Sequence, residues 1–243
     1  MNNYFEKPNL PDRPVKCVIV DRRADGETVE TLEQLGIDVI PSAKTAGAYE
    51  AVKTHPDITI CHIGGARFVV SPDTYEYYKS VLPGAEIIKG SSDIGGKYPY
   101  DVPYNCAAIG GRLICSMKYA AAEIKNAFEN IIDIKQGYAK CSICAVAENA
   151  VITADKGAAE KCRAAGMDVL EITPGHIELT GMDSGFIGGS CGLIARGVLA
   201  VNGELCTHPD GERIKAFCER HGVSVGELKS GAICDIGSIL PVF

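Results

Sequence analysis

The feature that most constrains this chain is an internal repeat. Four apolar stretches align with one another, and each contains two short strand-like runs joined by a turn, usually with Gly or Asn. A fifth stretch is divided between the two ends of the chain. Because one such unit cannot bury its own apolar face, the copies must pack against each other. The aligned stretches are residues 58–71, 105–116, 141–155 and 188–203, and the pair 234–243 with 16–21.

A helical stretch and a third strand-like run follow each of these stretches. The resulting order predicts an α/β protein of five ββαβ units with fivefold pseudosymmetry, which is an α/β propeller. The unit that spans the termini closes the ring and removes free sheet edges. We expect residues 1–243 to form a single domain. The helices are predicted to run for about ten residues each and to begin near Thr28, Asp73, Lys118, Lys156 and Gly211.

Charge and hydropathy restrict the partners. The chain of 243 residues has a formal net charge of −7 and no long basic run, which argues against a nucleic-acid surface and favours a small cationic ligand. No apolar stretch is long enough to span a membrane, and the first residues lack the apolar core of a signal peptide. These patterns predict a cytoplasmic protein with a small-molecule ligand and no membrane partner. They do not indicate an oligomeric state.

The eleven cysteines are an odd number in a chain without a secretory signal, so we expect reduced thiols. Cys141 and Cys144 form a Cys-x-x-Cys motif, but residues three apart on a strand point to opposite faces, which disfavours a shared metal or a disulfide. Gly188–Gly192 spells Gly-x-Ser-x-Gly, yet it enters a strand that another strand follows, unlike a hydrolase elbow. The sequence therefore predicts no zinc site and no cofactor.

Five ββαβ units closed by the termini resemble the pentein fold of the guanidino-group-modifying enzymes, such as arginine deiminases, amidinotransferases and dimethylarginine hydrolases. Over nearly the whole chain, the sequence is also similar to an uncharacterised bacterial family of that fold. The resemblance implies a Cys nucleophile that attacks a guanidinium carbon, a His that moves protons, and carboxylates that hold the planar cation.

Two residues match the enzymes' catalytic positions. Gly231-Ala-Ile-Cys234 is similar to the Gly-x-x-Cys run that carries the nucleophile near the C-terminus, which makes Cys234 the first candidate. Residues 175–179 resemble the run that begins with the catalytic His, and the matching residue is His176. The alternative for His176 is an ordinary surface residue in a Pro-Gly-His loop.

The alignment of the repeats nominates a different set of residues. It places Cys191, not His176, on the inner strand of the stretch 188–203, and Asp235 with Ser238, not Cys234, on the last inner strand, so Cys191 is the alternative nucleophile. Polar residues at equivalent strand starts converge on one mouth and form a candidate ligand site, and the alternative for each is a role as a strand cap or in a turn. These residues are Thr59, Asn105, Ser142, Gly189 or Ser190, and Asp235, with Ser238 on the last strand and Asp183 in a neighbouring loop.

Two functions remain open at this point. One is a Cys-dependent hydrolase or transferase acting on a guanidino, amidino or other small cationic compound. The other is a non-catalytic pentein-like protein that binds a protein partner or a metabolite. The reactivity of a single thiol separates them, because catalysis requires a readily formed thiolate and binding does not.

Overall fold

The structure is a computed structural model that describes residues 4–243, so the first three residues of the predicted domain lie outside it. The first group of elements is β1 (Cys17–Val20), α1 (Gly26–Gln34) and β2 (Asp38–Pro41). The second is α2 (Pro56–Thr59), β3 (Ile60–Gly64), β4 (Arg67–Val70), α3 (Tyr75–Val81) and β5 (Glu86–Lys89). The third is β6 (Ala107–Ile109), β7 (Arg112–Cys115), α4 (Ala122–Lys125) and β8 (Asn130–Asp133).

The fourth group is α5 (Ala139–Ser142), β9 (Ile143–Ala147), β10 (Ala150–Thr153), α6 (Lys156–Ala164) and β11 (Asp168–Glu171). The fifth is β12 (Cys191–Ala195), β13 (Val198–Val201), the 3₁₀ turn Leu205–Thr207, α7 (Gly211–Arg220) and β14 (Ser224–Glu227). The last strand is β15 (Leu240–Pro241). None of the helices within residues 4–243 is long and apolar enough to cross a membrane.

These strands form five sheets of three strands each. In every sheet a middle strand pairs antiparallel with an inner strand and parallel with an outer strand. The first sheet joins both ends of the chain, because β1 pairs antiparallel with β15, where Val18 faces Pro241, and parallel with β2. The predicted mixed α/β architecture of five ββαβ units is therefore confirmed. The sheets are β15-β1-β2, β3-β4-β5, β6-β7-β8, β9-β10-β11 and β12-β13-β14, from inner to outer strand.

Apolar side chains from consecutive sheets form five buried clusters. Each cluster combines strands of two sheets, and one of them combines the fifth sheet with the first. Burial of these side chains is the main stabilising contribution of the fold. One residue from each of the two sheets serves as an example for each cluster, going from the cluster of the first and second sheets to that of the fifth and first. These pairs are Ile19 and Ile60, Cys61 and Ala108, Ile109 and Ile143, Ile152 and Leu193, and Val18 and Ile194.

One local prediction was wrong. The helix expected near Lys118 begins at Ala122 and has only four residues. The backbone N–H groups of Tyr119 and Ala120 both donate to the Ser116 carbonyl and form a turn. The next residue, Ala121, has a ψ of 141°, which is not helical, so the helix begins only after it. At the start of α7, Asp210 occupies the N-cap position, and its carboxylate accepts the backbone N–H of Thr173, at 2.6 Å, rather than an amide of the helix.

Candidate active site

A cavity of about 490 Å³ opens beside the last inner strand. Its wall contains one thiol, from Cys234, and one imidazole, from His55. Its other ionisable side chains are four acidic and two basic. These are Asp21, Asp25, Glu178 and Asp235, and Arg23 and Lys229.

Backbone pairing between two distant segments positions Cys234. The segment around Glu178 runs parallel to the segment around Cys234, with the Glu178 N–H donating to Ile233 O and the Asp235 N–H donating to Glu178 O, both at 2.8 Å. On the other side, the Cys234 N–H donates to Asn202 O at 2.9 Å, and the Asn202 side-chain amide donates to Cys234 O at 3.0 Å. The backbone of Cys234 is thus held from both sides.

The Cys234 thiol is half-buried, and its nearest polar partner is a carboxylate. The distance from Cys234 Sγ to Glu178 Oε2 is 3.6 Å, which suits a weak hydrogen bond from sulfur. Burial raises the pKa of the Cys234 thiol, Lys229 lowers it, and Glu178 raises it further, so that the net direction is upward. The Cys234 thiol is therefore protonated at neutral pH.

His55 lies between two carboxylates at the floor of the cavity. Its Nε2 is 3.6 Å from Asp21 Oδ2, and its Nδ1 is 3.7 Å from Asp235 Oδ1. Burial lowers the pKa of His55, although both carboxylates oppose this effect. Burial pushes the pKa of Asp21 upward, but hydrogen bonds from Arg23 outweigh it and the pKa is lowered. His55 is consequently a neutral imidazole with an ionised carboxylate at its Nε2.

The Asp235 carboxylate is held by backbone amides. Its Oδ1 accepts the N–H of Gly237 and its Oδ2 accepts the N–H of Phe186, both at 2.9 Å. Burial raises the pKa of Asp235. Gly189 allows the close approach of this carboxylate, since a Cβ at that position would stand 2.0 Å from Asp235 Oδ1.

Below the floor, five buried polar residues form what we call the central polar cluster. They come from segments that precede the inner strands of four units, so the pseudosymmetry brings them together. The central polar cluster consists of Asp57, Asn105, Lys140, Cys141 and Ser238.

Hydrogen bonds link these residues closely. Asp57 Oδ2 accepts from Cys141 Sγ and from Ser238 Oγ, both at 2.9 Å. The ammonium of Lys140 donates to Ser238 Oγ at 2.9 Å, and Asn105 Nδ2 donates to Cys141 Sγ at 3.2 Å. Burial raises the pKa of Asp57 to about 6, although Lys140 opposes the shift. The pKa of Cys141 is also raised, mainly by burial and then by Asp57.

The structure distributes the residues predicted from the repeat alignment over different regions. Asn105 and Ser238 belong to the central polar cluster, and Asp235 lines the cavity. Ser190 is buried beside them, and its hydroxyl donates to Phe186 O at 2.9 Å. Cys191 lies in the apolar cluster between the fourth and fifth sheets and does not line the cavity.

His176 and Asp183 line a second depression, of about 510 Å³, together with Glu178. His176 has a positive φ of 60°, and its ring lies 5.7 Å from that of His208. The first cavity includes Cys234 but neither His176 nor Asp183. The two catalytic candidates that the family resemblance named, Cys234 and His176, thus line different depressions that share Glu178.

Two more residues of the alignment are buried outside the central polar cluster. Thr59 shares a hydrogen bond of 2.7 Å with the Tyr78 hydroxyl, and the Ser142 hydroxyl donates to Ala139 O at 3.2 Å. Both residues end short helical turns, α2 and α5, that precede their inner strands. Residues earlier in these turns, such as Asp57 and Cys141, reach the centre instead.

Sequence reasoning did not select several residues that the structure brings together. The aligned stretches begin at residues 58 and 141, just after three of these residues, which are His55, Asp57 and Lys140. The available signal was the tetrapeptide Thr-His-Pro-Asp, which occurs at 54–57 and again at 207–210 and places a Pro at the start of a short helix. Glu178 had no local signal, because only its long-range pairing brings it to Cys234.

Comparison with solved structures places the fold among the penteins. The inosamine-phosphate amidinotransferase of Streptomyces griseus matches with a TM-score of 0.56 and 13% identity over 96% of this chain and 95% of that one. DDAH from Pseudomonas aeruginosa, complexed with citrulline, matches with 0.54 and 11% over 95% and 100%. Agmatine deiminase of C. jejuni with substrate bound matches with 0.55 and 9% over 90% of each chain.

At these identities the likeness is one of fold. No protein of known, curated function matches the sequence. A family model, described as a family of unknown function (DUF6873), matches residues 19–240, which include both the cavity and the central polar cluster. This chain belongs to the DUF6873 family and has the mixed α/β fold of the pentein enzymes.

Proposed function

We propose that this protein is a Cys-dependent hydrolase or transferase that acts on a guanidino, amidino or other small cationic compound, with Cys234 as its nucleophile. One observation carries the proposal. The half-buried thiol of Cys234 stands in a cavity of about 490 Å³, with the Glu178 carboxylate 3.6 Å away and an excess of acidic side chains around it.

The charge and size of the cavity favour a small cation. Four carboxylates line it, and of the two basic side chains Arg23 is already paired with Asp21 at 2.9 Å. Asp25 and Glu178 are then available to hold a planar cation, which carboxylates bind through paired hydrogen bonds. The volume lies in the range of pockets that enclose a metabolite.

The reaction follows from these groups. The Cys234 sulfur forms a bond to the guanidinium or amidinium carbon, and the thiol proton passes to Glu178. The leaving ammonia or amine takes that proton from Glu178 as its bond to carbon breaks, and a covalent thiouronium or thioimidate intermediate remains on the sulfur. Attack by water on its carbon gives a hydrolase, whereas attack by an acceptor amine gives a transferase, and either step returns the electron pair to sulfur.

A bound cation makes the Cys234 thiol easier to ionise. The pKa of Cys234 is raised in the free protein, and a cation bound beside the sulfur stabilises the thiolate and lowers that pKa. Nucleophilicity is thereby coupled to occupation of the cavity. Cys191 has no such route, because it is surrounded by apolar side chains and its pKa is raised well above the ordinary value by Cys144 and by burial.

The second candidate function is non-catalytic binding of a small cation. The observation that favours it is the raised pKa of Cys234, together with the position of His176 outside the cavity. In that function the carboxylates hold the ligand, and the thiol makes only a contact. His176 and Asp183 would then belong to a separate depression without a part in this chemistry.

We further infer that the five sheets close into one ring and form a single domain around the central polar cluster. The five apolar clusters support this inference, since each combines two consecutive sheets and one combines the fifth sheet with the first. The pairing of β15 with β1 supports it as well. A closed ring explains why the polar starts of the inner strands meet at one point.

Turnover and binding must be measured on the same compounds. Purified protein is incubated with a panel of guanidines and amidines, with release of ammonia or amine and formation of ureido or amide product followed by mass spectrometry. Calorimetry measures binding of the same panel. The variants are Cys234→Ser and Glu178→Gln, and the control is Cys206→Ser, which alters an exposed cysteine that does not line the cavity.

Product formed by the wild type and by the control, but not by Cys234→Ser, is the result that we expect. Binding of the compounds by the wild type, with no product from the wild type or the control, supports the non-catalytic alternative instead. Equal turnover by the wild type and Cys234→Ser contradicts the assignment of the nucleophile.

A further inference from the structure

Three buried side chains meet at the floor of the cavity. They are His55, Cys141 and Asp235, and one ligand atom from each lies within 4.8 Å of the other two. They come from the segments that precede three different inner strands, β3, β9 and β15. An imidazole nitrogen, a thiol and a carboxylate are the donor types that bind divalent transition metals.

We propose that His55 Nδ1, Cys141 Sγ and a carboxylate oxygen of Asp235 bind one divalent transition-metal ion, for which Zn²⁺ is the best fit. The mixed nitrogen, sulfur and oxygen set matches the borderline softness of zinc. This site is separate from the chemistry assigned to Cys234 and Glu178, and the inference does not rest on the proposed function.

The distances are close to those of a tetrahedral site. With ordinary zinc–ligand bonds, neighbouring donor atoms are separated by about 3.3 to 3.5 Å. The distance from His55 Nδ1 to Asp235 Oδ1 is 3.7 Å, and no pair in the set exceeds 4.8 Å. Small side-chain rotations are enough to bring all three atoms onto one ion.

The state of His55 independently indicates a missing ligand. The residue is 1% exposed, and its Nδ1 has no hydrogen-bond partner within residues 4–243. A buried polar atom without a partner is costly, and such atoms are rare in folded proteins. In a neutral imidazole with its proton on Nε2, the Nδ1 lone pair faces the Asp235 oxygen, and a cation between them removes the repulsion.

Neighbouring residues hold the three donor side chains in place, as the residues around the ligands do in known metal sites. His55 Nε2 lies 3.6 Å from the Asp21 carboxylate, which Arg23 holds in turn. A metal-bound His usually directs its other nitrogen toward a carboxylate or a carbonyl. Asp235 is held by two backbone amides, and Asn105 Nδ2 lies 3.2 Å from Cys141 Sγ.

The charges of the site also balance. A dication bound by the Cys141 thiolate, the Asp235 carboxylate and a neutral His55 gives a net charge of zero, which a buried location favours. Lys140 already offsets Asp57 through their shared partner Ser238. On metal binding, the Cys141 thiol releases its proton to solvent, so Asp57, whose Oδ2 accepts the thiol hydrogen bond in the metal-free protein, keeps the charge that offsets Lys140.

The cavity provides the route of entry. His55 and Asp235 both line it, so an ion can reach them from solvent, whereas Cys141 closes the site from below. The fourth coordination position then faces the cavity. Asp25 and Glu178 stay available for an organic ligand.

Metal titration of the full chain tests the proposal. Protein is freed of metal with a chelator, dialysed, and titrated with Zn²⁺ by calorimetry and with Co²⁺ by absorption spectroscopy. We expect one ion per chain and a thiolate-to-cobalt charge-transfer band. The Cys141→Ser variant should lose that band, and His55→Gln and Asp235→Asn should each weaken Zn²⁺ binding by more than about a hundredfold.

Two further variants separate a metal ligand from a positioning residue and from an unrelated thiol. Asp21→Asn, which alters the partner of His55 Nε2, should weaken binding by about ten- to a hundredfold while the cobalt band keeps its shape. Cys234→Ser removes the other thiol near the cavity and should leave affinity and band unchanged.

Three results overturn the proposal. These are the absence of stoichiometric binding, a cobalt band that survives in Cys141→Ser, and a band that disappears in Cys234→Ser, which would place the ion at Cys234 and Glu178. Cys141→Ser retains a hydroxyl for Asp57 and Asn105, so it should fold even where His55→Gln does not. Circular dichroism of each metal-free variant shows whether it is folded. Turnover of the guanidine and amidine panel is measured in a separate experiment, because metal binding does not depend on the proposed function.

Discussion

Cys141 and Cys144 lie three residues apart, yet they belong to opposite kinds of interior. Cys141 ends in the central polar cluster, where Asp57 and Asn105 contact its sulfur. Cys144 lies on β9 in the apolar cluster between the fourth and fifth sheets, which also contains Cys191. The apolar clusters repeat around the molecule with interchangeable aliphatic residues. The central polar cluster, in contrast, takes residues of different types from four units, and two of them, Lys140 and Cys141, come from the same unit.

The two regions differ in what burial contributes to stability. Apolar burial between sheets lowers the free energy of the folded state wherever it occurs. Burial of Asp57, Lys140 and their partners costs desolvation, and an apolar replacement of the same shape is often as stable. In this chain these charged residues lie directly below the cavity of the proposed site, so substitutions there and in an apolar cluster compare the cost of a polar interior with that of an apolar one.

The largest expected effect comes from leaving a charge unpaired in the central polar cluster. Lys140→Met removes the cation that offsets Asp57, and it should lower the free energy of unfolding by about 3–5 kcal/mol. Urea unfolding measures this loss. Lys156→Met on the exposed start of α6 is the matched control and should change stability by less than about 0.5 kcal/mol.

Adding Asp57→Asn to Lys140→Met sharpens this test. If an uncompensated carboxylate causes the loss, the double variant should recover part of it. Equal losses in the single and double variants would contradict this explanation.

Replacing a cysteine by serine should lower the free energy of unfolding more in an apolar cluster than in the central polar cluster. Cys191→Ser places a hydroxyl among apolar side chains and should cost about 1–3 kcal/mol. Cys141→Ser should cost less than about 1 kcal/mol, because Asp57 can accept from the new hydroxyl and Asn105 can donate to it. Chemical denaturation of metal-free proteins compares them, and equal costs would mean that the two environments do not differ as described.

A smaller effect is expected for Asp210, a carboxylate outside both the cavity and the central polar cluster. Asp210 accepts the Thr173 N–H at 2.6 Å and pairs with Arg213, and these contacts hold its pKa at about 2, below the ordinary value of 3.8. A lowered pKa stabilises the folded protein above pH 3.8, and this contribution is lost as the pH falls toward 2. Asp210→Asn should therefore cost about 1 kcal/mol at neutral pH.

The pH dependence of that cost is the decisive observation. The difference in unfolding free energy between wild type and Asp210→Asn should stay constant from neutral pH down to about pH 4 and shrink below it. A difference that does not change with pH would show that the charge of Asp210 contributes nothing.

The apolar repeat was sufficient to predict the five sheets, because alternation and turns encode strands locally. It also indicated that Asn105 and Ser238 approach the centre. It could not select Asp57 or Cys141, since the short helical turns before β3 and β9 displace the polar position from the aligned register. Glu178 was beyond local reasoning altogether, because its place beside Cys234 results from pairing between segments far apart in the chain.

The most direct test of the proposed function compares two alkylating reagents on one protein. 2-Chloroacetamidine carries a guanidinium-like cation, whereas iodoacetamide is neutral, and peptide mass spectrometry follows the modification of Cys234 and of the exposed Cys206 over time. We predict that the cation makes Cys234 react faster than Cys206, that iodoacetamide shows no such preference, and that Glu178→Gln abolishes the difference. The same ratio of rates with both reagents would contradict a cation-directed thiol at Cys234.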